Sequence, residues 1–390
     1  MLYQAELHPD IDEFYHKHGK IETTREMIMA KRKLRKGIAL KLALLAALFV
    51  VATLGTAFGL NYLFNRPQDE KKSEESEVVA TPTPTPEPVT TSASLFMVGD
   101  ALLHTTIEAD ASNGDGTYTF SLLDRIGAIA QNYDLRYYNQ ETILGGDDLG
   151  IHGYPRFNGP QSWGDYMLSL GFNLVSTANN HCLDMNTYGL ENSVNYWKSK
   201  EGILMNGTYT SQEDYDAIPV GEINGIRYAF LSFCHDMNGL QPEQPYYVSC
   251  YDGHEEEMLN KVAQAKTMAD IIIGNHPHCI EPVQWLNDGK TICFYALGNI
   301  VAAQYDLSKI EMMAALTINK TTYGDGRIEI SLSDLKTDLM YCYFDANCRN
   351  FDVIPFPQMD DAHLVNCMDV YEQYKAVVTQ MDPSIPIGGF

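Results

Sequence analysis

The stretch Ala269-Asp270-Ile271-Ile272-Ile273-Gly274-Asn275-His276-Pro277-His278 constrains the fold of this chain more than any other. Three consecutive isoleucines lack the period-2 alternation of a half-exposed strand, so they read as a central strand buried on both faces. In α/β sheets such strands carry their chemistry at the carboxyl end. Here that end holds His276 and His278. In an extended backbone residues i and i+2 point the same way, so the pair can offer two imidazoles to one metal ion or one anionic group. Two histidines in a polar loop is the plainer alternative.

Three other aliphatic runs end in polar residues of the same kind. Residues 95–98 empty into Gly99-Asp100, residues 135–139 into Gln140-Glu141-Thr142, and residues 172–177 into Ala178-Asn179-Asn180-His181. Helical patterns are expected at 121–131, 164–170, 189–200 and 255–268, with further strands at 226–234 and 291–297. Beyond them 312–318, 327–332 and 338–344 read as antiparallel strands. The chain is therefore expected to be α/β, with strands and helices alternating first and a β-rich tail second. If the strands share one sheet, Asp100, Glu141, Asn180, His181, His276 and His278 meet on one rim. That set could hold one or two divalent metals with mixed oxygen and nitrogen ligands. Such a centre would hold a phosphate-like group and ionise a bridging water, with a histidine nearby to protonate the leaving oxygen. Taken singly, Asp100 could merely cap the next helix, and Asn139 or Asn180 could stabilise a turn.

Residues 42–64 carry no charge and are dominated by Leu, Ala, Val and Phe. At about 1.5 Å per residue they exceed the ~30 Å hydrocarbon core, so one transmembrane helix is expected, with a cleaved signal peptide as the rival reading. Lys31, Arg32, Lys33, Arg35, Lys36 and Lys41 flank its amino end, whereas mostly acidic residues follow it. The positive-inside rule then puts residues 1–41 in the cytoplasm as a tail with room for one helix, and the rest outside. Residues 65–93 include Thr-Pro-Thr-Pro-Thr-Pro-Glu-Pro, a semi-rigid spacer. The main domain is expected at 94–355, with a C-terminal extension at 356–390.

Charge narrows the partners. The chain has 27 Lys+Arg against 51 Asp+Glu, a formal net charge of -24. Residues 1–41 hold nine basic and six acidic groups, so the remainder is more acidic still. Such a domain repels nucleic acid and anionic lipid unless cations intervene. The eight cysteines all lie beyond residue 180 and match no zinc-finger spacing. In an exported domain they permit disulfides, with Cys342 and Cys348 close enough in sequence to bridge a hairpin. Cys182 and Cys279 flank the expected site and read as soft ligands, oxidisable thiols or small packing residues.

Together Gly99-Asp100 with Leu103-His104, Tyr138-Asn139-Gln140-Glu141-Thr142, Ala178-Asn179-Asn180-His181-Cys182-Leu183-Asp184, Gly274-Asn275-His276-Pro277-His278 and Tyr295-Ala296-Leu297-Gly298-Asn299 resemble the bacterial CapA family of poly-γ-glutamate capsule synthesis. The likeness spans residues 94–355 in order, and the anchor, spacer and outer domain follow that family's layout. It implies a metallophosphatase-like β-sandwich flanked by helices, similar to the calcineurin-like metallophosphoesterases. It also implies Asp100, Glu141, Asn180, His276 and His278 as ligands of a divalent metal ion, with His181 as the catalytic acid. The implied partners are poly-γ-glutamate and membrane capsule-synthesis proteins. One departure stands out. A strand ending in His-Trp-Gly and a following helix, usual before the His-Pro-His strand, are missing; Trp163, Trp197 and Trp285 follow no histidine. His235 is the candidate substitute for the lost ligand. Three functions remain open: capsule assembly, export or anchoring; a metal-dependent phosphoesterase; and a non-catalytic polymer-binding scaffold.

Overall fold

A computed structural model describes residues 2–6 and 86–390, apart from 266–267. The expected membrane helix at 42–64, its basic flank and most of the spacer lie outside the described residues. Among the described residues no helix is long and apolar enough to cross a membrane.

The strands in chain order are β1 (Leu2–Glu6), β2 (Val89–Leu102), β3 (Leu135–Asn139), β4 (Leu174–Ser176), β5 (Leu204–Asn206), β6 (Val220–Ile223), β7 (Ile226–Ser232), β8 (Asp270–Asn275), β9 (Val283–Leu286), β10 (Thr291–Phe294), β11 (Asn299–Ala302), β12 (Ile310–Thr322), β13 (Ile328–Tyr343) and β14 (Asp352–Pro355). The helices are α1 (Thr105–Ala111), α2 (Asp124–Ala130), α3 (Gln161–Ser169), α4 (Asn186–Lys198), α5 (Gln212–Asp216), α6 (Glu255–Ala265) and α7 (Cys367–Val378). They build a mixed α/β body around two sheets, so β2, β3 and β4 share one sheet while β8 lies in the other. The larger has the order β14-β13-β12-β2-β3-β4-β5, with β11 also beside β2; the smaller has the order β6-β7-β1-β8-β10-β9.

Period-2 geometry explains the layering. Along β2, Phe96 and Val98 face one way and meet Ile126 of α2, Trp163 and Met167 of α3, and Trp197 of α4. Leu95 and Met97 face the other way and meet Phe230 of β7, Ile271 and Ile273 of β8, and Phe294 of β10. Each such buried side chain contributes roughly 1.5–3 kcal/mol, which is why this run carries no polar residue. On the outer face of the smaller sheet, Leu231 and Phe233 pack against Met258, Val262 and Ala265 of α6. Helices therefore cover both outer faces of a two-sheet sandwich.

Several expectations change. Ile272 is only half-buried, so the Ile-Ile-Ile strand is sealed on one face alone. The two strands expected at 327–332 and 338–344 form one, β13, which stays paired with β12 through a register shift near Asp334, whose φ is 52°. Leu2–Glu6, expected in a cytoplasmic tail with room for a helix, is a strand. It runs parallel to both neighbours, with Leu2 opposite Phe230 of β7 and Ile271 of β8. Residues after Pro355 pack back on the body: Phe356 stacks on Tyr371 of α7, and Phe390 meets Phe96 edge-on at 5.9 Å. Cys342 and Cys348 are not bonded; Cys342 is buried and donates its thiol to the Ala302 carbonyl.

Glu108 of α1 is a buried carboxyl whose two oxygens have no hydrogen-bond partner, and burial raises its pKa to about 8. The folded state therefore holds a proton that the unfolded chain releases near pH 4.5. Stability from this group is present below about pH 4.5 and lost as pH rises through about 8. Urea unfolding of Glu108→Gln is expected to show a flatter stability profile between about pH 5.5 and 8.5, with a difference from wild type of a few kcal/mol at the alkaline end. A wild-type profile that is itself flat across that window rules the assignment out.

Candidate metal centre

Asp100 stands near the carboxyl end of β2, where Gly99 lets two backbones meet. A Cβ added at Gly99 would lie 1.8 Å from the Gly298 carbonyl oxygen, and the Asp100 amide donates to that oxygen at 2.9 Å. The close approach aligns β11 with the end of β2 and delivers Asn299 opposite Asp100. Asp100 is fully buried. Its Oδ1 accepts from the Asn139 amide at 2.8 Å, and its Oδ2 accepts from the His276 backbone N–H at 3.1 Å. Burial raises its pKa, opposed by the His278 ring and by these hydrogen bonds.

Glu141, just past β3, and His278, past β8, complete the centre. His278 Nδ1 lies 2.9 Å from Asn299 Oδ1 and 3.7 Å from Asp100 Oδ2, and its Nε2 lies 3.4 Å from Glu141 Oε1. Asn299 donates its own amide to the His278 carbonyl at 3.3 Å. With the Asn299 oxygen as acceptor, the His278 Nδ1 carries the proton and the Nε2 lone pair is free to ligate. One donor atom from each of Asp100, Glu141 and His278 fits within 4.8 Å of the others. Two carboxylate oxygens and one imidazole nitrogen are a donor set for a divalent ion such as Mn²⁺ or Zn²⁺. The residues fit the group that the sequence implied.

The other expected ligands stand differently. His276 and His278 do not share an extended backbone: β8 ends at Asn275, and φ is 95° at His276 and 55° at His278. The chain turns there, leaving the two rings 6.0 Å apart, and His276 contributes its backbone N–H to Asp100. Asn180 donates its amide to Asn238 at 3.3 Å. His235 pairs with its neighbour Asp236 at 3.2 Å and is outside the three-residue group. Cys182 packs in an apolar cluster with Leu183, Leu190 and Val194, and burial raises the Cys279 thiol; neither joins the centre.

His181 is buried beside α4, and its Nδ1 lies 2.7 Å from Asp184 Oδ2. Asp184 also accepts from the Phe157 amide, and the Phe157 ring meets His181 edge-on at 4.8 Å. The carboxylate holds the proton on Nδ1 and leaves Nε2 to exchange one. Phe157 also meets His104 edge-on at 5.3 Å. Burial lowers the His104 pKa, and the nearby His278 and His181 rings lower it further, which places three imidazoles in one neighbourhood.

Reading the sequence as ligands alone passed over the residues that hold those ligands. Asn139 orients Asp100, Asn299 orients His278, and Asp184 orients His181. Asn179 ties the loops together by donating to the Gln140 carbonyl at 2.9 Å. The His-x-x-Asp spacing was a local signal for Asp184. The Asn299–His278 pair had none, because the residues come from different sheets. Glu311 of β12 lies beneath, fully buried, and burial holds its carboxyl well above the ordinary value.

The profile of the family described as bacterial capsule synthesis protein PGA_cap matches residues 94–266 and 245–304, more than half of the chain. The chain belongs to this family. As a PGA_cap protein it carries Asp100, Glu141, Asn180, His181, His276 and His278 all inside the matched residues. It is 24% identical over 200 residues to the PGA biosynthesis protein CapA of Bacillus subtilis (strain 168), covering 43% of this chain and 52% of that one. The chain thus spans about half the length of this curated relative. Among solved structures, a phosphatase from Mycoplasma pneumoniae aligns at 12% identity and a TM-score of 0.37, over 70% of this chain and 99% of that one. A hypothetical protein from Thermus thermophilus aligns at 13% identity and a TM-score of 0.30, over 62% and 98%.

Proposed function

We propose that this PGA_cap protein acts at the cell surface in the assembly, export or anchoring of poly-γ-glutamate, through a divalent cation held by Asp100, Glu141 and His278 in a metallophosphatase-like sandwich. The observation that carries the reading is the convergence of two carboxylates and one oriented imidazole at the carboxyl ends of strands from two sheets. A bound divalent ion supplies positive charge to hold an anionic group and lowers the pKa of a ligated water. In a chain of net charge -24, that local charge is what lets a polyanion approach. Asn299 and Asn139 keep the ligands in register, and Phe157 shields one side of His181. The His181–Asp184 pair supports a second reading, a metal-dependent phosphoesterase. There His181 would give a proton from Nε2 to a leaving oxygen while Asp184 steadies the imidazolium. A polymer-binding scaffold would use the same cation without turnover.

We further propose the single-pass anchor at 42–64, with the N-terminus cytoplasmic, the main domain extracellular and membrane capsule-synthesis proteins as partners. One crossing would separate Leu2–Glu6 from β7 and β8, so in an anchored molecule that position of the smaller sheet is open or filled by another segment. The test is complementation of a capsule-forming cell lacking the gene. Wild type is expected to restore surface polymer and His278→Ala to fail, and external protease on intact cells should release a fragment beginning in the Pro-rich spacer. Surface polymer unchanged by the deletion excludes the capsule role. Phosphoester hydrolysis by the purified chain, lost in His181→Ala, would favour the enzyme over the scaffold.

A further inference from the structure

Cys234 and Cys250 form an isolated parallel β-bridge at the edge of the metal centre's supporting loop. The Cys234 amide donates to the Ser249 carbonyl and the Tyr251 amide to the Cys234 carbonyl, both at 2.9 Å. Backbones paired in this way lie about 4.8 Å apart, inside the Cα spacing that a disulfide spans. The Cys234 thiol donates to Met237 Sδ at 3.8 Å, and the Cys250 thiol donates to the His235 carbonyl at 2.9 Å. Cys234 is fully buried, whereas Cys250 is half-buried, so one sulfur is reachable and the other waits behind it.

Between the two cysteines runs a loop that touches the site. Asn238 accepts from Asn180 at 3.3 Å, and Met237, Tyr247 and Val248 share an apolar cluster with Ala178, Cys182 and Leu183. That cluster backs the segment bearing Asn180 and His181. We propose that Cys234 and Cys250 are a dithiol–disulfide couple that, when oxidised by a low-molecular-weight disulfide, pins residues 235–249 against the Asn180–His181 segment. The adjoining Cys234 side chain, acting against burial, lowers the Cys250 pKa to about 7, and Cys250 is also the less buried of the two, which makes it the first nucleophile.

The exchange balances in two steps. The Cys250 thiolate attacks one sulfur of glutathione disulfide, forming a mixed disulfide and expelling one glutathione thiolate. Cys234 then loses its proton and attacks the Cys250 sulfur, expelling the second glutathione. Two protein thiols are oxidised and one glutathione disulfide is reduced to two glutathiones.

The test uses the full chain, reduced, freed of reductant and exposed to glutathione disulfide without denaturant. Alkylation followed by mass measurement is expected to show loss of two of the eight thiols. Cleavage at Glu243, which lies between the two cysteines, should leave the flanking fragments joined until reduction. Cys234→Ser should stall with one glutathione on Cys250, and Cys250→Ser should lose no thiol pair. Eight unreacted thiols in wild type, a stable glutathione adduct on wild-type Cys250, or a bond between any other pair overturns the proposal.

Discussion

Replacing His278 with alanine is expected to lower the affinity of the full chain for Mn²⁺ or Zn²⁺ by more than ~100-fold in calorimetric titration. His278 supplies the one nitrogen of the three-donor group, with Nε2 3.4 Å from Glu141 and Nδ1 held by Asn299. Partners that only orient a ligand are worth about 10–100-fold in metal affinity, so Asn299→Ala should fall in that range and loss of the ligand itself beyond it. His254→Ala, an exposed histidine away from the centre, should change nothing. The pH dependence has a definite sign. Burial raises the Asp100 pKa, so protons compete better with the metal for that carboxylate, and binding should strengthen as pH rises. Equal affinity in wild type and His278→Ala would remove the centre from this protein.

A methyl group at Gly99 should be nearly as damaging, although it touches no ligand. The added Cβ would sit 1.8 Å from the Gly298 oxygen and 2.7 Å from its carbonyl carbon, atoms of the backbone that cannot rotate away. Either β2 and β11 separate, and the Asp100 N–H bond to Gly298 is lost, or the chain fails to fold. Gly99→Ala is expected to destabilise by about 3 kcal/mol or more. For a body of this size that lowers the thermal midpoint by roughly 6 °C or more. Metal binding should fall with it, because Asn299 follows Gly298 and would carry His278 out of register. A midpoint within about 2 °C of wild type would show that the two backbones have room to spare.

The outcomes for β2 and β8 show what short-range pattern can and cannot convey. Leu95 to Val98 bury on both faces, as their unbroken apolar run implied, because alternate side chains meet different layers. The Ile-Ile-Ile run has the same appearance, yet Ile272 faces a side that α6 covers incompletely. A run of aliphatic residues reports what its own strand tolerates. It does not report how much neighbouring structure is present to cover it.

The sequence by itself determined which residue types end the strands: Gly-Asp after 98, Glu141 after β3, Asn-His after β4, and His-Pro-His after β8. Those are local features, set by backbone sterics, side-chain period and the chemistry of each short motif. Asp100, Glu141 and His278, whose ligand atoms the fold brings within 4.8 Å of one another, could be singled out on those grounds. Tertiary structure alone decided that these ends come from two sheets, that His276 turns away from the extended path and that Asn180 bonds Asn238. It likewise decided that Asn299 holds His278, and that Leu2–Glu6 pairs between β7 and β8. The physical reason is separation along the chain. Asn299 and Asp100 are brought together by backbone pairing across almost 200 residues, and the free energy of that pairing belongs to the assembled sheets, not to either segment alone.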